Sequence, residues 1–308
     1  MTTPLDLHGV IPPVVTPLTP DRELDVPSFQ RVLTRMLDAG VDGVFVLGST
    51  SEVAFATDAV RRRVVTEAAR VVAGRVPLLA GVVDMATERV LDHARVAADL
   101  GADGVVATAP FYAVTPREQV RRHFEVLGER SPVPVVAYDI PVCVHTKLDA
   151  DDLVALGRDG AIVAVKDSSG DDVGFRRLAL RNRDAGEPLR LFTGHEVVVD
   201  GAYLSGAHGV VPGLGNVDPA GYVRLHRALQ GGDWATARDE QDRLARLMDI
   251  VLAPRRTGGW GAGVGAFKAA LVLLGVIDSH QLPLPFEGLD DADVDAVKAV
   301  LTEVGLAA

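Results

Sequence analysis

Lys166 follows Ile162-Val163-Ala164-Val165 without a break and is succeeded by Asp167-Ser168-Ser169-Gly170. The apolar residues read as a buried strand, and the polar, glycine-bearing stretch as the loop in which it ends. A lysine there brings an amine to the carboxyl end of a strand, where α/β folds carry their chemistry. Partial burial disfavours the charged form of an amine, and the neutral form is the nucleophile that turns a carbonyl into an imine. The plainer alternative is a lysine that caps the strand and pairs with Asp167.

Other reactive side chains stand at the ends of similar runs: Gly48-Ser49-Thr50-Ser51-Glu52, Pro110-Phe111-Tyr112, Tyr138-Asp139-Ile140-Pro141, Gly194-His195-Glu196 and Gly213-Leu214-Gly215-Asn216. Ser49 and Thr50, with the adjoining backbone and Gly48, can hold a small carboxylate. Tyr138 can move protons to and from the atoms of a Schiff base. His195 and Glu196 are candidates for contacts to substrate hydroxyls, or else begin the next helix; Gly194 and Val211 are counted with the substrate contacts. His195-Glu196 opens no zincin motif, because position 199 is valine. The other histidines lack ligand spacing, and Cys143, the only cysteine, cannot build a structural zinc site. Gly261-Ala262-Gly263-Val264-Gly265-Ala266 fits a loose dinucleotide pattern but follows no strand, so it reads as a flexible turn into a helix. No metal and no cofactor is expected.

The elements that must position these groups alternate in type. Strand-like runs are Ile11–Thr16, Gly43–Leu47, Val76–Val83, Gly104–Ala109, Val133–Tyr138, Ile162–Lys166, Leu189–Thr193 and Gly209–Pro212. They are continuously apolar, as parallel strands covered on both faces are. Helical patterns lie between them, among them Val26–Ala39, Thr57–Ala73, Thr87–Leu100, Pro116–Gly128 and Asp149–Leu156. Ala39-Gly40-Val41-Asp42-Gly43-Val44, Leu100-Gly101-Ala102-Asp103-Gly104-Val105 and Ser205-Gly206-Ala207-His208-Gly209-Val210 repeat one tight helix-to-strand turn. The pattern predicts an α/β fold: a (β/α)8 TIM barrel over 1–217 with a C-terminal helical appendage over 218–308. A doubly wound open sheet is the alternative.

The chain has 308 residues, 48% of them hydrophobic, and a net charge of −11. That charge argues against nucleic acid or an anionic membrane as partner. The single cysteine excludes an intrachain disulfide and favours a reducing cytoplasm. Met1–Val10 lacks the form of a signal peptide, and the apolar stretch near Leu271–Ile277 is too short to cross a bilayer.

Taken in order and spacing, the Gly48-Ser49-Thr50-x-Glu52 loop, Tyr112, Tyr138-Asp139-Ile140-Pro141, Lys166-Asp167-Ser168-Ser169-Gly170, Gly194 and Gly206-x-x-Gly209-Val210 resemble the dihydrodipicolinate synthase/N-acetylneuraminate lyase family of class I aldolases. The resemblance implies that Lys166 forms a Schiff base with pyruvate or another 2-keto acid, and that Tyr138 shuttles protons. It also implies that Ser49 and Thr50 bind the pyruvyl carboxylate, and that Tyr112 reaches a neighbouring subunit's site in a homotetramer built as a dimer of dimers. Two positions depart from the family pattern. Ser51 replaces the usual glycine of the loop. Cys143 stands where the synthases carry an arginine that grips the aldehyde's carboxylate, and a neutral thiol cannot make that bidentate contact.

The expected activity is therefore that of an aldolase or lyase joining pyruvate to an aldehyde, on a 2-keto-3-deoxy sugar acid or related 2-keto acid. Alternatives are 4-hydroxy-tetrahydrodipicolinate synthase, which Cys143 disfavours, an imine-dependent hydratase or dehydratase, and a silent keto-acid-binding paralogue. Val142, Cys143, Val144 and Phe111 leave room for an apolar or aromatic aldehyde.

Overall fold

Eight short parallel strands form one sheet in the order β1-β8-β7-β6-β5-β4-β3-β2. The structure, a computed structural model, describes residues 5–306. The first residues of the Met1–Val10 reading and the last two of the 218–308 region lie outside the described residues. The elements run β1 Gly9–Val10, α1 Val26–Ala39, β2 Val44–Val46, α2 Asp58–Val72, β3 Leu78–Gly81, α3 Thr87–Asp99 and β4 Gly104–Thr108. Next come α4 Arg117–Arg130, β5 Val135–Asp139, α5 Pro141–Val144, α6 Ala150–Arg158, β6 Ala164–Asp167, α7 Asp172–Asp184, β7 Arg190–Thr193, α8 Val199–Ser205 and β8 Gly209–Val210. Four further helices follow: α9 Pro219–Gln230, α10 Trp234–Met248, α11 Trp260–Leu273 and α12 Asp291–Glu303.

The expected TIM barrel with a helical C-terminal region is the observed architecture. Continuous apolar runs become strands buried on both faces; every residue of β4 and β5 is buried. Helices give one face to that sheet. In α1, Phe29, Val32, Leu33 and Met36 recur at helical spacing and are all buried, each contributing about 1.5–3 kcal/mol.

Three expectations need correction. The first strand is not Ile11–Thr16: regular pairing stops at Val10, because Pro12 and Pro13 have no N–H to give a ladder. The segment still closes the barrel through an isolated bridge, with Phe45 N–H donating to Pro12 O at 3.0 Å and Val14 N–H to Phe45 O at 2.8 Å. The helix Pro219–Gln230, grouped with the appendage in the sequence reading, packs against β1 and α1 and completes the helical ring. Finally, the Gly261–Ala266 run, expected as a flexible turn into a helix, already lies inside α11. A Cβ at Gly265 would come within 3.1 Å of Leu289, so small residues there admit the chain that packs across the helix.

The repeated helix-to-strand turn has a common chemistry. Gly40, Gly101 and Gly206 take left-handed backbone, with φ of 83°, 97° and 110°. Two residues on, Asp42 accepts from Val10 N–H at 2.8 Å, Asp103 from Leu78 N–H at 2.8 Å, and His208 Nδ1 from Leu191 N–H at 3.0 Å. Each satisfies an N–H near the start of a neighbouring strand. Among the described residues no helix is long and apolar enough to cross a membrane.

Candidate active site

Strand register sets the centre of the site. Tyr138 on β5 is paired with Lys166 on β6, and Asp139 with Asp167. Successive residues of a strand face opposite ways, so the two pairs part. Lys166 Nζ lies 3.6 Å from the centroid of the Tyr138 ring, and both side chains are buried. The aspartates face the helical layer, where both pair with Lys147. Asp139 also accepts from Leu148 N–H at 3.1 Å, and Asp167 from Ser169 N–H at 2.8 Å. Burial pushes the Asp139 carboxyl up to about 6, against the pull of Lys147. Lys166 therefore does not pair with Asp167. It donates to Ser168 Oγ at 2.9 Å. Gly194 makes this possible, because a Cβ there would stand 2.1 Å from Ser168 Oγ.

The loop after β2 brings a second set of groups. Leu47 and Glu52, not Ser51, take left-handed backbone here, at a cost of about 1–2 kcal/mol each. The missing glycine at Ser51 is thus no obstacle. The buried Ser51 hydroxyl donates to Val14 O and accepts from Gly48 N–H at 3.1 Å, fastening the loop to the first barrel segment. Glu52 is held from far along the chain: Lys268 of α11, fully buried, donates to Glu52 Oε2 at 2.6 Å and to Gln281 O at 2.9 Å. Burial raises the Glu52 pKa and lowers that of Lys268, each opposed by the partner's charge. Among the described residues nothing accepts from the N–H groups of Ser49 and Thr50. They stand half-buried beside Gly48, where an anion can take both.

The other expected residues divide. Cys143 on α5 is half-buried; burial pushes its thiol up, against the pull of the Lys166 charge and of the nearby Ser49 hydroxyl. His195 lies at the partly exposed mouth with Nδ1 3.0 Å from Asp172 Oδ1. Glu196 is held by the chain through one oxygen of its carboxylate. Its Oε2 accepts from Leu214 N–H at 2.7 Å and Tyr222 O–H at 3.2 Å, fixing the turn after β8, and burial raises its pKa. Val211 is buried, its N–H donating to Thr193 O at 2.8 Å. Tyr112 is not brought to Lys166 within one chain; it is 86% exposed beside Val114, which is 97% exposed. Ser168, Lys147 and Lys268 escaped the sequence reading. Ser168 had a signal, its place two residues after Lys166; the other two had none in their spacing.

His8, Asp42 and His226 come together as potential metal ligands at the opposite end of the barrel. Asp42 there already accepts from Val10 N–H, and His226 Nδ1 lies 2.7 Å from the Tyr203 hydroxyl. No step at Lys166 draws on that group.

The sequence pattern of the Dihydrodipicolinate synthetase family matches residues 6–304. An uncharacterized DapA-like lyase of Halobacterium salinarum is 37% identical over 303 residues, 98% of this chain and 96% of that protein. A 4-hydroxy-tetrahydrodipicolinate synthase of Phenylobacterium zucineum is 30% identical, covering 97% of this chain and 98% of that one. Among solved structures, YagE of E. coli K12, a member of the dihydrodipicolinic acid synthase family in complex with pyruvate, superposes with a TM-score of 0.91 at 26% identity, over 97% of this chain and 99% of YagE. The chain belongs to the dihydrodipicolinate synthetase family, whose members are carbon–carbon lyases.

Proposed function

We propose that this chain joins pyruvate to an aldehyde, or cleaves the corresponding 2-keto acid, through an imine on Lys166. The observation that carries the reading is the Lys166 amine lying over the Tyr138 ring on the adjacent strand. Lys166 adds to the pyruvate keto carbon and water leaves. The protonated imine then withdraws electrons, so a methyl proton departs and an enamine forms. Tyr138, on the adjacent strand, carries the protons in these steps. The Ser49 and Thr50 N–H groups hold the carboxylate.

The sugar-acid acceptor expected from the sequence needs hydroxyl partners beyond the imine. Glu196 is committed to Leu214 and Tyr222, and His195 faces Asp172. Those commitments favour a less polar second half. The single cysteine supports a reducing, cytoplasmic setting. A homotetramer is the proposed assembly, in which exposed Tyr112 enters a neighbour's site; a monomer by analytical ultracentrifugation would exclude that role.

Incubation with pyruvate and borohydride, followed by peptide mapping, tests the chemistry. One reduced pyruvyl adduct on Lys166 is expected, and none in a folded Lys166→Ala variant. An adduct elsewhere, or retained turnover in that variant, overturns the mechanism. Tyr138→Phe should slow the reaction about 10²–10⁴-fold.

A further inference from the structure

Beside the Ser49–Cys143 edge lies a cavity of about 280 Å³. Its walls come from the loop after β2, the ends of β3 and β4, α5 and the first residue of α11. Val53, Phe55, Val83, Phe111, Ile140 and Val144 make most of it apolar. Only two lining side chains ionise, Glu52 and Cys143. Glu52 is taken up by Lys268, and the thiol is held towards its neutral form by burial. No lining residue is a lysine, arginine or histidine, so nothing in the wall can neutralise a carboxylate.

Two polar atoms in the same wall lack partners. Thr108, 3% exposed, leaves its hydroxyl unpaired, and so does Trp260 its indole N–H. Buried polar atoms are ordinarily satisfied. An indole N–H can only donate, whereas a threonine hydroxyl can donate or accept. Two such groups suit at most a hydroxyl or ether oxygen on an otherwise apolar body. They are too few for a polyhydroxylated chain, each of whose hydroxyls would lose water without replacement.

We propose that this cavity receives the aldehyde half, and that the aldehyde is an uncharged aromatic or branched aliphatic one carrying at most one hydrogen-bonding oxygen. The inference rests on the imine reading of Lys166 and adds the acceptor class to it. The enamine carbon of the bound pyruvate attacks the aldehyde carbon. A C–C bond forms as the carbonyl π electrons move to oxygen, which takes up a proton equivalent to the one lost from the pyruvyl methyl group. Water then hydrolyses the imine, freeing Lys166 and a 4-hydroxy-2-keto acid with the apolar group on C4. Cleavage is the same sequence reversed.

The test compares kcat/KM for pyruvate addition to benzaldehyde, a hydroxybenzaldehyde and 3-methylbutanal with that for glyceraldehyde and aspartate semialdehyde. The first group should lead by about 100-fold, the scale on which a shaped apolar pocket discriminates. Cys143→Arg should reverse the order, lowering the aromatic rate and raising that of aspartate semialdehyde. Trp260→Phe keeps the ring but removes the donor. It should lower the hydroxybenzaldehyde rate about 10-fold more than the benzaldehyde rate, the worth of one hydrogen bond. In a Trp234→Phe background Trp260 is the only tryptophan, so benzaldehyde binding should quench its fluorescence and glyceraldehyde should not. Without a borohydride adduct on Lys166, the imine reading fails. If the adduct forms but a polar aldehyde matches the aromatic ones, or benzaldehyde neither reacts nor quenches, the acceptor inference alone fails.

Discussion

The two ends of the barrel solve opposite problems with similar residue types. At the lower rim, where strands begin, Asp42, Asp103 and His208 each take an N–H near the start of a neighbouring strand. At the upper rim, the N–H groups of Ser49 and Thr50, the Thr108 hydroxyl and the Trp260 N–H are left without protein partners. The lower rim spends its polar groups on the chain itself, so it contributes stability. The upper rim holds its donors rigid and unused, which lowers stability but preorganises a binding surface. The upper rim must therefore be braced from outside, and the buried Lys268–Glu52 pair and the Ser51 hydroxyl provide the bracing.

Removing that brace should have the largest effect on stability. Lys268→Met leaves Glu52 as a buried carboxylate without its partner and should cost about 3–5 kcal/mol in denaturant unfolding. Adding Glu52→Gln should recover most of the loss; no recovery would mean that the helix packing, not the charge, mattered.

The helical layer between the rims supplies a pH test. His123, buried on α4 with Nδ1 2.9 Å from Thr87 Oγ1, has its pKa lowered from 6.5 to about 4 by burial. Its neutral form is favoured in the fold, so its contribution is complete above pH 6.5 and is lost as pH falls towards 4. That loss amounts to about 3 kcal/mol. Asp139, raised to about 6, acts in the other direction: its contribution is present at low pH and lost as pH rises towards 6. The difference between the wild type and His123→Leu isolates the histidine. A difference unchanged between pH 7 and pH 4 would contradict its buried neutral state.

The smallest effect belongs to the lower rim. Asp103→Ala strips the acceptor from Leu78 N–H and should cost about 1 kcal/mol, with kcat unaltered. A fall in kcat would show that the rims are coupled.

These rims also differ in how far the sequence exposes them. The lower-rim device is a local solution repeated three times, so a Gly-x-Asp-Gly or Gly-x-His-Gly pattern displays it. Lys166 and Tyr138 were legible for a related reason: each interrupts or ends an apolar run, and strand ends of a parallel barrel converge. What stayed hidden depends on contacts remote in sequence. Lys268 and Glu52 stand 216 positions apart, with no periodicity linking them. The glycines of α11 read as a turn into a helix because the run follows no strand, and the close packing of Leu289 against Gly265 is a contact the sequence does not display. The shortness of β1 was available from Pro12 and Pro13, but the apolar run around them outweighed two missing donors in the reading.

The alternation along β5 and β6 also bears on how the molecule reaches its working form. A slip of one position in both strands would exchange their faces. Asp139 and Asp167 would then turn towards the barrel axis, while Lys166 and Tyr138 would turn out to the helices beside Lys147. Two carboxylates would stand side by side there without that lysine. A chain assembled in that way would be penalised heavily before any substrate arrived. The outward aspartates thus act as a quality check on the inward pair, so that a folded molecule is also one whose amine and phenol face the same way.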